Sequence, residues 1–330
     1  MSKFSSKCLA WIFCAVLVSW SEISAGQLSE NFYQNSCPKL ENILSQVNQQ
    51  KFKESPVVAA GTLRLFFHDC MVEGCDASVM IVSSASNKAE KDADVNLSLP
   101  GDAFDAVVRG KQAAEAQCPG VVSCADILAI ATRDFVGMIG GPFWKVKKGK
   151  RDGLISQAAR VNGNLPNVND SVDKLASLFA SKGLSMDEMV TLEGAHTAGF
   201  AHCNEFMNRI YNFSSTSQSD PTMKASYAAS LRQACPQQNL DPTVVAFLDV
   251  TTPRAFDNVF YQNVQNGLGL LQSDQVLYSD ARTKPTVDSF AGNQKAFFNA
   301  FVIAMDHLGS VGVKTGSQGE IRKDCAAFNS

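Results

Sequence analysis

Cysteine limits how this chain can fold more than any other residue. Ten occur in 330 residues, and their meaning depends on the compartment they reach. The opening segment supplies that. Lys3 and Lys7 precede an uncharged apolar run from Cys8 to Ser21, too short for the roughly 20 residues of a membrane span and followed by small residues. Residues 1–26 therefore read as a secretory signal peptide, with Ser24 and Gly26 at the cleavage positions and Gln27 as the mature start. Cys8 and Cys14 leave with it. Cys37, Cys70, Cys75, Cys118, Cys124, Cys203, Cys235 and Cys325 remain, an even set in an oxidising compartment. Four disulfides are expected, among 105 possible pairings.

The mature domain, 27–330, is long enough to bury a sizeable core without leaning on its bridges alone. With 45% apolar and 18% charged residues, the chain is neither collagen-like, coiled-coil nor disordered. A net charge of −3 and the lack of a basic stripe speak against nucleic acid as a partner. No second apolar run approaches the length of a bilayer span, so no membrane association is expected.

Helical periodicity runs through Asn42–Phe52, Val57–His68, Phe104–Ala116, Cys124–Val136, Val172–Ser181, Lys224–Ala234 and Ser289–Leu308. Breakers such as Pro100-Gly101, Pro119-Gly120 and Gly140-Gly141-Pro142 divide these segments. Strand alternation is scarce. The basic, turn-rich stretch Trp144–Gly153 is expected to form a short hairpin, with Lys145–Arg151 as a solvated turn. An all-α architecture of about ten helices follows.

Two histidines have surroundings suited to chemistry. In Arg64-Leu65-Phe66-Phe67-His68-Asp69-Cys70, helical spacing puts Arg64 and His68 on one face. A cation and a base then share a wall, with Phe66 and Phe67 lining an apolar pocket. The loop that follows, Asp69 to Ser78, offers carboxylates, a hydroxyl and turn carbonyls, the oxygen-rich set that suits Ca²⁺. The second histidine lies in Leu192-Glu193-Gly194-Ala195-His196-Thr197, where small neighbours allow a flat, bulky group to approach. Downstream, Asp274 in Gln272-Ser273-Asp274-Gln275 is a carboxylate in an apolar setting, of the kind that accepts the second N–H of a metal-bound imidazole.

Together with Asp249-Val-Thr-Thr-Pro-Arg-Ala-Phe-Asp-Asn258, these motifs resemble the secretory plant (class III) haem peroxidases over nearly the whole mature chain. The resemblance implies a haem peroxidase fold, in which two helical halves sandwich one haem b, and an enzyme that reduces H₂O₂ while oxidising small phenolic donors in one-electron steps. It implies His196 as the haem-iron ligand, Asp274 as its hydrogen-bond partner, Arg64 and His68 as the distal pair with Phe67 beside them, and Asn96 as the residue orienting His68. It implies two Ca²⁺ ions, one held by Asp69, Val72, Gly74, Asp76 and Ser78, the other by Thr197, Asp249, Thr252, Ala255 and Asp257. The implied bridges are Cys37–Cys118, Cys70–Cys75, Cys124–Cys325 and Cys203–Cys235, and Pro166 falls at the donor entrance.

In chemical terms, a neutral His68 takes a proton from peroxide and returns it to the leaving oxygen, while Arg64 stabilises the developing charge. Asp274 raises the basicity of His196 and lowers the ferric potential. Met71 and Glu193 depart from the usual Phe and Ser of the family, and neither departure removes a catalytic group. His202 and His307 are expected to be structural or surface groups. A metal-dependent hydrolase would need three or four ligands on one ion, and local spacing supplies no further histidine. A disulfide-stapled binding protein would have no use for Arg64, His68, Asn96, His196 and Asp274. The chain runs five residues past Cys325 without an extension that could serve as a vacuolar address, so the extracellular space is expected rather than the vacuole; a monomer is expected too. Sequons begin at Asn96, Asn169 and Asn212, and the first conflicts with the role the resemblance gives Asn96.

Overall fold

Capping side chains decide where several helices begin. Ser123 accepts the Asp126 N–H at the start of α4 (Cys124–Met138), and Ser171 does the same for Lys174 at α5 (Val172–Ser181). A reciprocal Ser185–Glu188 box opens α6 (Met186–Glu193). Asn293 accepts from Ala296 at α12 (Gln294–Leu308). The single helix expected over Ser289–Leu308 is therefore two, because Asn293 is extended and caps the second while α11 (Lys284–Gly292) stops before it.

The computed structural model describes residues 28–330, so the expected signal peptide and Gln27 lie outside the described residues. The remaining helices are α1 (Leu40–Glu54), α2 (Val58–Val72), α3 (Gly101–Gln117), α7 (Met207–Ile210), α8 (Ala225–Ala234), α9 (Val259–Gln265) and α10 (Gln272–Ser279). Helices α1–α4 pack on one another, α5, α6 and α9–α12 form a second group, and α7 pairs with α8. A main core runs through both larger groups. In it the α12 face Phe297, Phe301, Ala304, Met305 and Leu308 meets Phe256, whose ring centroid lies 5.7 Å from Phe297 and 4.8 Å from Phe301. Each fully buried side chain of this size contributes roughly 1.5–3 kcal/mol. A smaller core gathers Phe206, Ile210, Tyr227 and Leu231 with the segment Leu270–Leu271 that leads into α10. Among the described residues the fold is all-α apart from one two-stranded antiparallel ribbon.

That ribbon is not where the sequence pattern put it. It joins β1 (Phe200–His202) to β2 (Val245–Phe247), whereas Trp144–Gly153 runs extended as a strap. Single bridges tie the strap to Ser29 at Lys148, to Lys314 at Arg151 and to Glu320 at Asp152. Within Lys145–Arg151, Lys145 and Lys147 are solvated as expected, but Lys148 and Lys150 are buried. Lys148 donates to Glu41 at 2.5 Å, and Lys150 donates to the Lys147 carbonyl at 2.6 Å beside Asp126. Their ammonium groups are buried because these acceptors replace water.

Disulfides join Cys37 to Cys118, Cys70 to Cys75, Cys124 to Cys325 and Cys203 to Cys235. Near the third bridge, the buried Arg322 side chain donates to the carbonyls of Ala77 at 2.8 Å and Gly153 at 2.7 Å. The last part of the described chain thereby holds the loop after α2 against the strap. No described helix is long and apolar enough to cross a membrane.

Candidate active site

Helix α2 presents Arg64 and His68 on one face, with Arg64 Nε 3.2 Å from His68 Nε2. The other ring nitrogen, Nδ1, lies 2.7 Å from Asn96 Oδ1. Asn96 donates its NH₂ to the Glu90 carbonyl at 2.8 Å, which leaves its carbonyl oxygen towards the ring. Nδ1 therefore carries the proton and Nε2 is the acceptor. Burial, and next the charge of Arg64, depress the His68 pKa to about 3, so the ring is neutral at any ordinary pH. Arg64 also donates to Ser98 O, Val95 O and Ser98 Oγ at 3.1, 3.2 and 3.1 Å. Of the two phenylalanines expected in a pocket, Phe66 is buried in the core and only Phe67 is partly open, 5.9 Å from Phe179.

His196 sits in the single turn that follows α6, its Nδ1 2.8 Å from Asp274 Oδ1. Asp274 is fully buried in the first turn of α10, and its Oδ2 accepts the Leu271 N–H at 2.9 Å. Arg209 fixes the approach to that turn, donating to Gly269, Leu270 and Leu271 carbonyls at 2.5, 2.8 and 2.9 Å. Burial opposes a charge on His196, but Asp274 outweighs it and the pKa is pushed up to about 9. The charge of Arg64 also opposes protonation of this ring. Glu193 is packed beside His196, and burial raises its pKa to about 7. Gly194 does not serve the open side, as a Cβ there would collide with Tyr261 Oη and Phe297.

Both oxygen-rich clusters assemble. Asp69 accepts from Ala77 N at 2.9 Å, Asp76 accepts from Ser78 N at 3.0 Å and is paired with Lys314, and Gly74, at φ +100°, packs on Gly312. Val72 ends α2 beside them, its carbonyl 3.4 Å from Lys182 Nζ. Glu90 joins this cluster without having been singled out in the sequence. Its Oε2 accepts from Ser78 Oγ at 3.0 Å while its Oε1 is buried with no partner. Burial and then Asp76 raise Glu90 to about 8, and the same two causes hold Asp69 well above the carboxylate range. In the second cluster, Thr197 Oγ1 lies 3.4 Å from the Ala255 carbonyl and 3.3 Å from Asp257 Oδ1. Thr252 Oγ1 is 3.3 Å from Asp249 and 3.1 Å from Asp257. Pro166 is partly buried, and Val168 beyond it accepts from Ser273 N at 2.9 Å, next to Asp274. His202 and His307 lie apart, against Pro242 O at 3.0 Å and Glu188 at 2.7 Å.

The structure also bears on the sequons. Asn96 is 2% exposed with both amide atoms engaged, whereas Asn169 and Asn212 are exposed. Glycopeptide mass spectrometry of active protein is expected to find glycan at Asn169 or Asn212 and none at Asn96. A largely occupied Asn96 would contradict this packing.

The peroxidase family model matches residues 44–293. Peroxidase 50 of Arabidopsis thaliana is 54% identical over 310 residues, 93% of this chain and 94% of the relative. Peroxidase 73 of the same plant is 51% identical over 331 residues, the full length of both. Peroxidase 55 is 52% identical over 321 residues, 97% of this chain and 96% of the relative. With half its residues shared along its length with these enzymes, the chain belongs to the plant peroxidase family and is an oxidoreductase acting on H₂O₂.

Proposed function

We propose that residues 27–330 form one secreted, monomeric domain that binds one haem b through His196 Nε2 and two Ca²⁺ ions, and uses H₂O₂ to oxidise small phenols in the extracellular space. The observation that carries this reading is the pair of oppositely prepared imidazoles. His68 is tethered at Nδ1 to a neutral amide and kept uncharged, while His196 is tethered at Nδ1 to a buried carboxylate. The donor sets fit the groups. His196 Nε2 has no hydrogen-bond partner among the described residues and 32% of the side chain is open, although Asp274 behind it is fully buried. Each calcium cluster brings two or more carboxylates together, and the buried Glu90 Oε1 has no donor. Such sets suit a hard cation held by Asp69, Val72, Gly74, Asp76 and Ser78, and a second held by Thr197, Asp249, Thr252, Ala255 and Asp257.

When bound, the haem would take up the two oxidising equivalents that peroxide releases and pass them one at a time to the donors. The protein's part is proton handling and charge. His68 Nε2 takes the proton of the near peroxide oxygen and delivers it to the far one, which leaves as water. Arg64, held beside His68 Nε2, would stabilise with its charge the oxygen that becomes negative as the O–O bond breaks. Asn96 keeps His68 in the tautomer that can accept, and Asp274 holds the His196 ring and raises its basicity. Pro166 borders the entrance for phenols.

Absorption spectroscopy of the purified protein tests the reading. A Soret band that changes on one equivalent of H₂O₂ and returns with a phenol is expected, and His196→Ala should abolish it. A protein that carries zinc and no Soret band would instead support a hydrolase.

A further inference from the structure

Glu193 ends α6, and the turn that carries the chain on to His196 delivers its carboxyl to the same side as the imidazole. Glu193 Oε2 lies 3.5 Å from His196 Nδ1, behind Asp274 Oδ1 at 2.8 Å. One ring nitrogen thus has two carboxyl groups around it, with all three atoms within 4.8 Å of one another. Asp274 is engaged at both oxygens, by the ring and by Leu271 N. Glu193 is 6% exposed, and among the described residues no other donor reaches its carboxyl.

A largely buried carboxyl that accepts no hydrogen bond is costly. Gly194, the next residue, is wedged between Tyr261 Oη and the Phe297 ring, so the turn that leads from Glu193 to His196 has room for no larger residue there. The position is explained if the group serves the neighbour it already touches. We propose that Glu193 is a positioning residue for this imidazole, a second acceptor of the Nδ1–H that is subordinate to Asp274 and takes the hydrogen bond over when Asp274 is removed. This rests on the reading of His196 as the haem ligand.

The test uses the holoenzyme and two readouts other than turnover, the ferric/ferrous midpoint potential and the iron–histidine stretching frequency of the ferrous form by resonance Raman. Asp274→Ala should raise the potential and lower the frequency, and Glu193→Ser should do so slightly. The double variant Asp274→Ala/Glu193→Ser should shift both by more than the sum of the two single changes. Asp274→Ala/Glu193→Gln should recover part of the loss, because the Gln carbonyl still accepts. Additive shifts, or Gln behaving as Ser, would overturn the proposal and leave the ligand assignment standing. A wild-type protein with no iron–histidine band would remove both. If Asp274→Ala fails to take up haem, the single variants decide: Glu193→Ser should lower the frequency and Glu193→Gln should keep it near wild type, and equal values overturn the proposal.

Discussion

His68→Ala is expected to slow the reaction of the ferric holoenzyme with H₂O₂ by about 10²–10⁴-fold, the usual worth of a positioned acid–base group. Stopped-flow absorption reads this directly. A loss of less than about threefold would remove His68 from the proton transfer. The variant should still bind haem, because His68 is not its ligand in the proposed arrangement. The wild-type rate should also show no inflection at the ordinary histidine pKa near 6.5. His68 titrates at about 3 in the folded protein, so the accepting form persists down to that value. The sign for stability follows. Between about 3 and 6.5 the unfolded chain binds a proton at this residue that the native state does not, so His68 disfavours the fold increasingly as pH falls through that window.

Calcium removal should produce the second large effect, with the opposite dependence on pH. Without a cation, Glu90 has a folded pKa near 8 against an ordinary 4.5, and Asp69 is also well above its usual range, each because of burial first and Asp76 next. The native state then holds protons that the unfolded chain has released. Stability is fully present below the unfolded pKa and is lost as pH rises towards 8. A displacement from 4.5 to about 8 for Glu90 alone corresponds to at most roughly 5 kcal/mol. Chelator-treated protein should therefore melt at a lower temperature at pH 8 than at pH 5, and added Ca²⁺ should restore it most at pH 8. Chelated protein equally stable at both values would contradict the cluster as a cation site.

What could be read from the sequence follows the range over which each interaction acts. Helices α1 to α5, α8 and α12 are long enough for their apolar spacing to stand out, and α4, α5 and α12 also have a capping side chain directly before them. Helices α6, α7, α9 and α10 have eight residues or fewer, less than one reliable period window. The strap around Lys148 and Lys150 misleads for another reason, since its charges are satisfied by Glu41, Asp126 and a carbonyl from other places. At the site, the Arg64–His68 pair follows from helical pitch. Asn96 and Asp274 meet their histidines across 28 and 78 positions; the apolar setting of Asp274 hinted at its role, whereas only the resemblance pointed to Asn96. Glu90 gave no signal, as its carboxyl acts on the calcium loop and its carbonyl on Asn96.

The bridge between Cys124 and Cys325 spans 201 positions, and it sets an order of assembly during synthesis. Cys37, Cys70, Cys75 and Cys118 all leave the ribosome before Cys124, so two of the bridges can close early. Cys124 cannot do so. At about 5–20 residues per second its thiol waits roughly 10–40 s for its partner, six positions from Cys118 and open to exchange with it. Arg322 arrives with that partner, and only then do the Ala77 and Gly153 carbonyls gain their donor. The loop beside His68 therefore gains its last covalent and hydrogen-bonded support only when the final residues of the chain have been made.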